Sequence, residues 1–203
     1  MSNIFKIRKS FLWIVLIANG LLFVLLQLDK GSMRIGLPGK AQELPVLATI
    51  EPFSLTSHRS DKFSSGQLLG STWIANFIFT RCPNQCPAMT ARFATLQNVL
   101  PDKIKLVSFS VDPNYDTPDV LRSYAAKFGA DPKRWFFLTG DRETLQRVRA
   151  DFKLGQSEDP SLHSLRFALV DDKSRVRGYY DSENPDSLKQ LLREVRRLAK
   201  DHE

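Results

Sequence analysis

Residues 73–90, WIANFIFTRCPNQCPAMT, constrain the fold of this chain more than any other stretch. Trp73, Ile74, Phe77, Ile78 and Phe79 make a nearly continuous run of large apolar side chains, as a strand covered on both faces requires. The character then changes abruptly to Arg81-Cys82-Pro83-Asn84-Gln85-Cys86-Pro87, which holds both cysteines of the protein. Each cysteine precedes a proline, and proline biases the residue before it away from helical geometry. A proline inside a helix also lacks its N–H and clashes with the preceding turn. The expected arrangement therefore has Pro87 at the first helical position and Cys86 as the cap. Cys82 then lies on a loop over the helix N-terminus, where partial positive charge favours thiolate over thiol. Two potential thiolates at a strand-to-helix junction make either a redox pair or two thirds of a soft-metal site.

The 203 residues suit one domain plus an extension. Lys6, Arg8, Lys9, Lys30 and Arg34, against Asp29 alone, supply more than half of the net charge of +7. The rest of the chain is nearly balanced and has no basic block with interleaved aromatics, which argues against a nucleic-acid partner. Two cysteines in one loop are no disulfide framework. So small a ring would restrict the unfolded chain little, and a bond here would be redox chemistry.

Residues 11–28, FLWIVLIANGLLFVLLQL, carry no charge and follow Lys6, Arg8 and Lys9. A run of 18 is long enough to cross a bilayer core when its flanks help. With the positive side kept in the cytoplasm, everything after Leu28 lies outside. The rival reading is a cleaved signal peptide, which has a shorter apolar region and a small-x-small cleavage site. Here the run ends in Gln-Leu-Asp-Lys-Gly. The expected division is a cytoplasmic N-terminus at 1–10, a transmembrane anchor at 11–28, a linker at 29–45 and a folded domain at 46–203.

After the linker, residues 53–55 and 62–63 suggest a small hairpin whose turn includes His58, expected there as a solvated residue and not a ligand. The helix after the cysteine loop, residues 87–100, places Met89, Phe93, Leu96 and Leu100 on one face, so Met89 reads as core before it reads as a soft ligand. Residues 104–111 form a second strand, and Thr117-Pro118-Asp119 caps a helix to about 128. A short strand at 135–138 and a helix from Asp141 to about 152 follow. Residues 166–170 and 175–180 form a hairpin, and residues 185–200 form the last helix. Its Arg193, Arg196, Arg197 and Lys200 read as a solvated face. This order gives a thioredoxin-like α/β sandwich, a central mixed sheet flanked by helices. Sites in such sheets gather beyond the C-terminal ends of strands, where the cysteine loop and the Asp112 loop both leave.

His163 precedes the strand at 166–170 and can reach the cysteine loop if the two strands are neighbours; read locally, it is a surface loop histidine. Cys82-Pro-Asn-Gln-Cys86-Pro after an apolar strand, Val111-Asp-Pro-Asn-Tyr-Asp-Thr-Pro, Leu138-Thr-Gly, and a histidine before a strand ending in Val-Asp together resemble the SCO/SenC family. These are membrane-anchored, thioredoxin-like copper-binding proteins of cytochrome c oxidase assembly. The resemblance implies that Cys82, Cys86 and His163 are copper ligands, with Asp116 or Asp112 in a supporting role. A Gram-negative periplasm and a mitochondrial intermembrane space would both suit the anchor topology; the lack of an Arg-rich, Ser-rich transit segment favours a single-pass protein of the bacterial inner membrane, with its C-terminal domain on the periplasmic side. The partner the resemblance implies is the copper-receiving subunit of the oxidase.

Two thiolates and an imidazole suit copper, and a set of three suits the cuprous ion. A structural zinc site would want a fourth protein ligand, and none is evident. The CxxxC spacing is one residue wider than the CxxC of dithiol exchange, wide enough to turn both sulfurs to one metal yet able to close a Cys82–Cys86 disulfide. Leu162 stands where relatives often have an acidic residue, and the loop before His163 is short. The leading expectation is thus a membrane-tethered chaperone carrying copper to the dinuclear site of the oxidase. The alternative is a thiol–disulfide reductase acting on oxidase cysteines, which needs no His163. A peroxiredoxin-type peroxidase wants threonine three residues before its cysteine, where this chain has Phe79.

Overall fold

The structure is a computed structural model that describes residues 43–153 and 165–200. The apolar run at 11–28, almost all of the expected linker, Leu162 and His163 lie outside the described residues. Among the described residues no helix is long and apolar enough to cross a membrane.

The chain runs β1 (Ala48–Thr49), β2 (Ser54–Ser57), β3 (Lys62–Ser64), a 3-10 turn (Ser65–Leu68), β4 (Trp73–Ile78), α1 (Gln85–Val99), β5 (Lys105–Ser110), α2 (Pro118–Lys127), β6 (Trp135–Thr139), α3 (Arg142–Asp151), β7 (Arg166–Val170), β8 (Arg175–Asp181) and α4 (Pro185–Lys200). All eight strands join one sheet in the order β1-β8-β7-β4-β5-β6-β2-β3. The inner trio β4, β5 and β6 is parallel, because α1 and α2 carry the chain back between them. Hairpins make both flanks antiparallel. β4 is also antiparallel to β7, with Trp73 opposite Val170 and Ala75 opposite Ala168. The end of β4 that releases the cysteine loop is therefore the end at which β7 begins.

Period-two alternation splits β4 between two cores. Trp73, Ala75 and Phe77 face a cluster with Phe53, Phe109, Val148 and Phe152, beneath α3. Rings dominate it: Phe77 stacks on Phe109 at 5.3 Å, and Phe152 meets both edge-on. Ile74 and Ile78 face a cluster with Met89, Phe93, Tyr124, Phe137, Leu191 and Val195, beneath α1, α2 and α4. Each such buried aromatic or aliphatic side chain contributes roughly 1.5–3 kcal/mol.

Local signals place several ends. Thr117 accepts the N–H of Val120, with Pro118 at the first position of α2, and Asp141 accepts the N–H of Thr144 at 2.7 Å. Two readings need correction. α1 begins at Gln85, not Pro87, with Asn84 as its cap in place of Cys86. Pro87 is then the third residue of the helix, where no backbone N–H is needed, so its ring costs no helical bond. His58 is not a solvated turn residue: it is only 5% exposed, packs edge-on against the Phe137 ring and accepts the Phe137 N–H at Nδ1. β2 pairs with β6, which draws the turn down onto the sheet.

Candidate metal centre

The site lies where β4 passes into α1. α1 has no side-chain cap from Asn84. The Sγ of Cys82 takes that part instead, accepting the backbone N–H of Cys86 at 3.4 Å. The two thiols differ sharply. Cys82 is partly exposed, whereas Cys86 is fully buried, and both are unbridged. Burial pushes the Cys82 thiol up, but the Cys86 and Asn84 N–H groups, the Cys86 thiol and the Gln85 N–H outweigh it, and the net pKa is lowered. Burial pushes the Cys86 thiol up to about 12, reinforced by its hydrogen bond to Cys82 and the charge of Asp116, and only partly countered by the Phe79 N–H. The outer sulfur is thus the more acidic of the two and the inner one is held as thiol.

The two candidate carboxylates do different work. Asp116 is fully buried, and it accepts the Thr80 N–H at 3.2 Å, the Thr80 hydroxyl at 2.5 Å and the Ser110 hydroxyl at 2.6 Å. It ties the strand ends of β4 and β5 together two residues before Cys82. Asp112 lies nearer the surface and is held by the neighbouring Arg81, whose Nε donates at 2.9 Å. The Arg81 guanidinium also stacks 4.6 Å from the Tyr115 ring. Below Cys86, Thr90 donates to its carbonyl at 2.7 Å and shares a hydrogen bond with the Tyr124 hydroxyl at 3.0 Å. Burial, with smaller contributions from the thiols and Asp116, pushes the Tyr124 hydroxyl up to about 12.

Of the expected site residues, Cys82, Cys86, Asp112 and Asp116 come together at one end of the sheet, and His163 lies outside the described residues. Among the described residues no group of three His, Cys, Asp or Glu is arranged to hold a metal. Met89 is buried in the core beneath α1. Thr80, Arg81, Thr90 and Tyr124 were not foreseen. Thr80 and Arg81 adjoin Cys82, and Thr90 is one helical turn beyond Cys86, so spacing alone offered a signal for three of them.

A mixed sheet covered on both faces, with a two-cysteine loop where a central strand turns into a helix, defines a thioredoxin-like domain of the CxxxC type. The chain belongs to the SCO1/SenC family, whose model matches residues 41–200. The SCO1 protein homolog of Bacillus subtilis is 34% identical over 141 residues, which cover 65% of this chain and 73% of that protein. The structure of BsSco, described as a member of the Sco family of cytochrome c oxidase assembly proteins with a disulfide switch, superposes with a TM-score of 0.70. It is 29% identical and covers 78% of this chain and 97% of its own. Yeast Sco1 with copper bound gives a TM-score of 0.60 at 22% identity, covering 73% of this chain and 89% of its own, and at that identity the likeness is one of fold.

Proposed function

We propose that this protein is a membrane-tethered copper chaperone that holds cuprous ion on Cys82, Cys86 and His163 and passes it to the dinuclear copper site of cytochrome c oxidase. The observation that carries the reading is the antiparallel pairing of β4 with β7. It puts the cysteine loop and the beginning of β7 at the same end of the sheet. His163 is two residues before Leu165, so its Cα lies within about 7 Å of that residue's Cα. His58, in contrast, is committed to Phe137.

The donor set supports copper. Two sulfurs at one helix N-terminus, one with its pKa lowered, suit a soft monovalent cation. Binding would release the Cys86 proton, because the ligand is the thiolate. Transfer by ligand exchange needs no change in oxidation state. Closing a Cys82–Cys86 disulfide would withdraw two electrons and both thiolate ligands, so copper loading and thiol redox state would exclude each other. A run of apolar residues at 11–28 would hold the domain at the inner membrane, facing the periplasm.

A second reading, a thiol–disulfide reductase for oxidase cysteines, is favoured by the split between the thiols. A partly exposed, acidified Cys82 beside a buried Cys86 is the arrangement of an attacking and a resolving thiol. Titration of the reduced protein with cuprous ion against a competing chelator, with His163→Ala in parallel, separates the two. The chaperone reading expects stoichiometric binding weakened at least tenfold, about 1.4 kcal/mol, in the variant. Failure of the wild type to compete for copper would sink it and leave the reductase.

A further inference from the structure

α4 covers the second core with Leu191, Val195, Leu198 and Ala199. Lys189, Arg193 and Arg196, at positions i, i+4 and i+7, form one stripe on its opposite, exposed face, with the half-buried Arg197 beside it. One carboxylate faces the three cations of this stripe: Asp186 pairs with Lys189 at 2.9 Å, and its charge also reaches Arg193. Glu194, the other carboxylate of α4, is turned away to accept the Tyr180 hydroxyl and the Gln190 amide. No acidic partner meets Arg196 among the described residues. A solvated helix face in a soluble protein more often mixes both signs.

The N-terminal part of the domain runs along the strand that α4 covers. Arg177 of β8 donates to the carbonyls of Leu44 and Pro45, and the Leu47 N–H reaches the Val176 carbonyl at 2.8 Å. Leu44 packs into the α4 core. Just beyond, at the same margin of the sheet, Val46 and Leu47 are 50% and 39% exposed. A cationic stripe only partly neutralised by Asp186 and two exposed apolar side chains thus lie toward the margin at which the described chain begins.

We propose that this margin docks on an anionic bilayer surface, with the α4 cations at lipid phosphates and Val46 and Leu47 at the headgroup boundary. The chemistry is that of an interfacial amphipathic surface: cations draw the domain to anionic headgroups, and a small apolar contribution holds it there. The cysteine loop lies at the other end of the sheet from the last turn of α4, so the docked domain would leave its site open to a partner. This inference does not depend on the copper reading.

Among the described residues both clusters draw on Leu44 to Ala199, and the family model spans 41–200, so a fragment spanning 41–203 carries the described core. The test is co-sedimentation of that fragment with vesicles of phosphatidylcholine alone or mixed with phosphatidylglycerol. Binding is expected only to the mixed vesicles and is lost at about 1 M salt, where the Debye length falls to about 3 Å. Lys189→Glu/Arg193→Glu/Arg196→Glu should bind at least tenfold more weakly, and the milder Lys189→Gln/Arg193→Gln/Arg196→Gln should weaken binding in the same direction. The control Lys62→Glu/Arg142→Glu/Arg149→Glu, remote from α4, should bind like the wild type. Unchanged circular dichroism confirms that the variants fold. Absence of binding to mixed vesicles would overturn the proposal and leave the stripe to an acidic protein partner. Equal weakening in the control would also overturn it, because the effect would then be one of net charge.

Discussion

Asp116 receives both the backbone N–H and the hydroxyl of Thr80, a residue 36 positions earlier in the chain. The bond crosses between the ends of two parallel strands and sets where the chain leaves β4 for Cys82. Its energetic weight comes from burial, because the carboxylate is sealed from water and its acceptors are filled by Thr80 and Ser110. Asp116→Ala would leave those donors unpaired and should destabilise the domain by about 3 kcal/mol, as hydrogen bonds to a charged group typically do. Urea denaturation of the reduced, metal-free protein checks this. A loss no larger than that of an exposed control such as Asp102→Ala would show that Asp116 does not hold the loop.

The asymmetry of the cysteines should appear in their alkylation. In the reduced, metal-free protein, Cys82 should react with iodoacetamide at a pH below that of an ordinary thiol, because neighbouring N–H groups stabilise its thiolate. Cys86 is buried, with its pKa pushed up to about 12, and should stay unmodified until the domain unfolds. Peptide mass mapping after short exposure should find the label on Cys82. Equal labelling of both would contradict the split and weaken the reductase reading in particular.

His58 gives the protein a pH dependence far from the cysteines. Burial is the main reason its pKa lies below 6.5, with Arg59 adding to the effect, and an interaction of the protonated ring with the Phe137 backbone and the charge of Asp61 only partly oppose it. The unfolded chain therefore takes up a proton near pH 6.5 that the folded chain still refuses. Stability from His58 is fully present above that pH and declines as pH falls toward the depressed folded value. His58→Asn, which keeps an acceptor near the Phe137 N–H, should flatten this slope. Comparing urea midpoints at about pH 7 and pH 5 isolates it, since carboxylates titrate mainly lower. A slope unchanged in the variant would assign the pH dependence elsewhere.

The local signals in the sequence proved the most readable. Thr117-Pro118 and Asp141 mark helix starts because capping involves only neighbours within one turn. The hydrophobic alternation of β4 and the helical spacing in α4 likewise need no distant partner. What stayed hidden depends on tertiary placement. β1 is two residues long and exists only by pairing with Val176 and Arg175. His58 is buried only because β2 packs beside β6. The beginning of α1 was read two residues late because proline is as well tolerated in the first turn as at its first position. At the site, Cys82 and Cys86 were legible from spacing, whereas the Thr80–Asp116 bond required the register of β4 against β5. His163 rests on family resemblance and on chain reach from Leu165.

Arg177 provides a last test, of how the start of the domain is secured. It is 3% exposed, and its Nη1 donates at 2.8 Å to Asp171, itself 1% exposed. Its Nε and Nη2 reach the carbonyls of Pro45 and Leu44. Asp171 is further held by the N–H groups of Lys173 and Arg175, and these contacts outweigh burial to keep its pKa below the usual carboxylate range. Removing the guanidinium alone leaves a buried carboxylate with one cation fewer and two carbonyls without donors. Breaking one half of a buried ion pair typically costs about 3–5 kcal/mol. Arg177→Met keeps much of the side-chain volume and should still lose stability near the lower end of that range. Arg177→Met with Asp171→Asn should recover part of it, because the buried carboxylate charge, otherwise left to Arg175 alone, is then removed. The effect should be seen as a shift in urea midpoint and as faster amide exchange at Leu47, whose N–H bonds to the strand beside Arg177. If Arg177→Met leaves both unchanged, the start of the domain is held by the packing of Leu44 and not by the guanidinium.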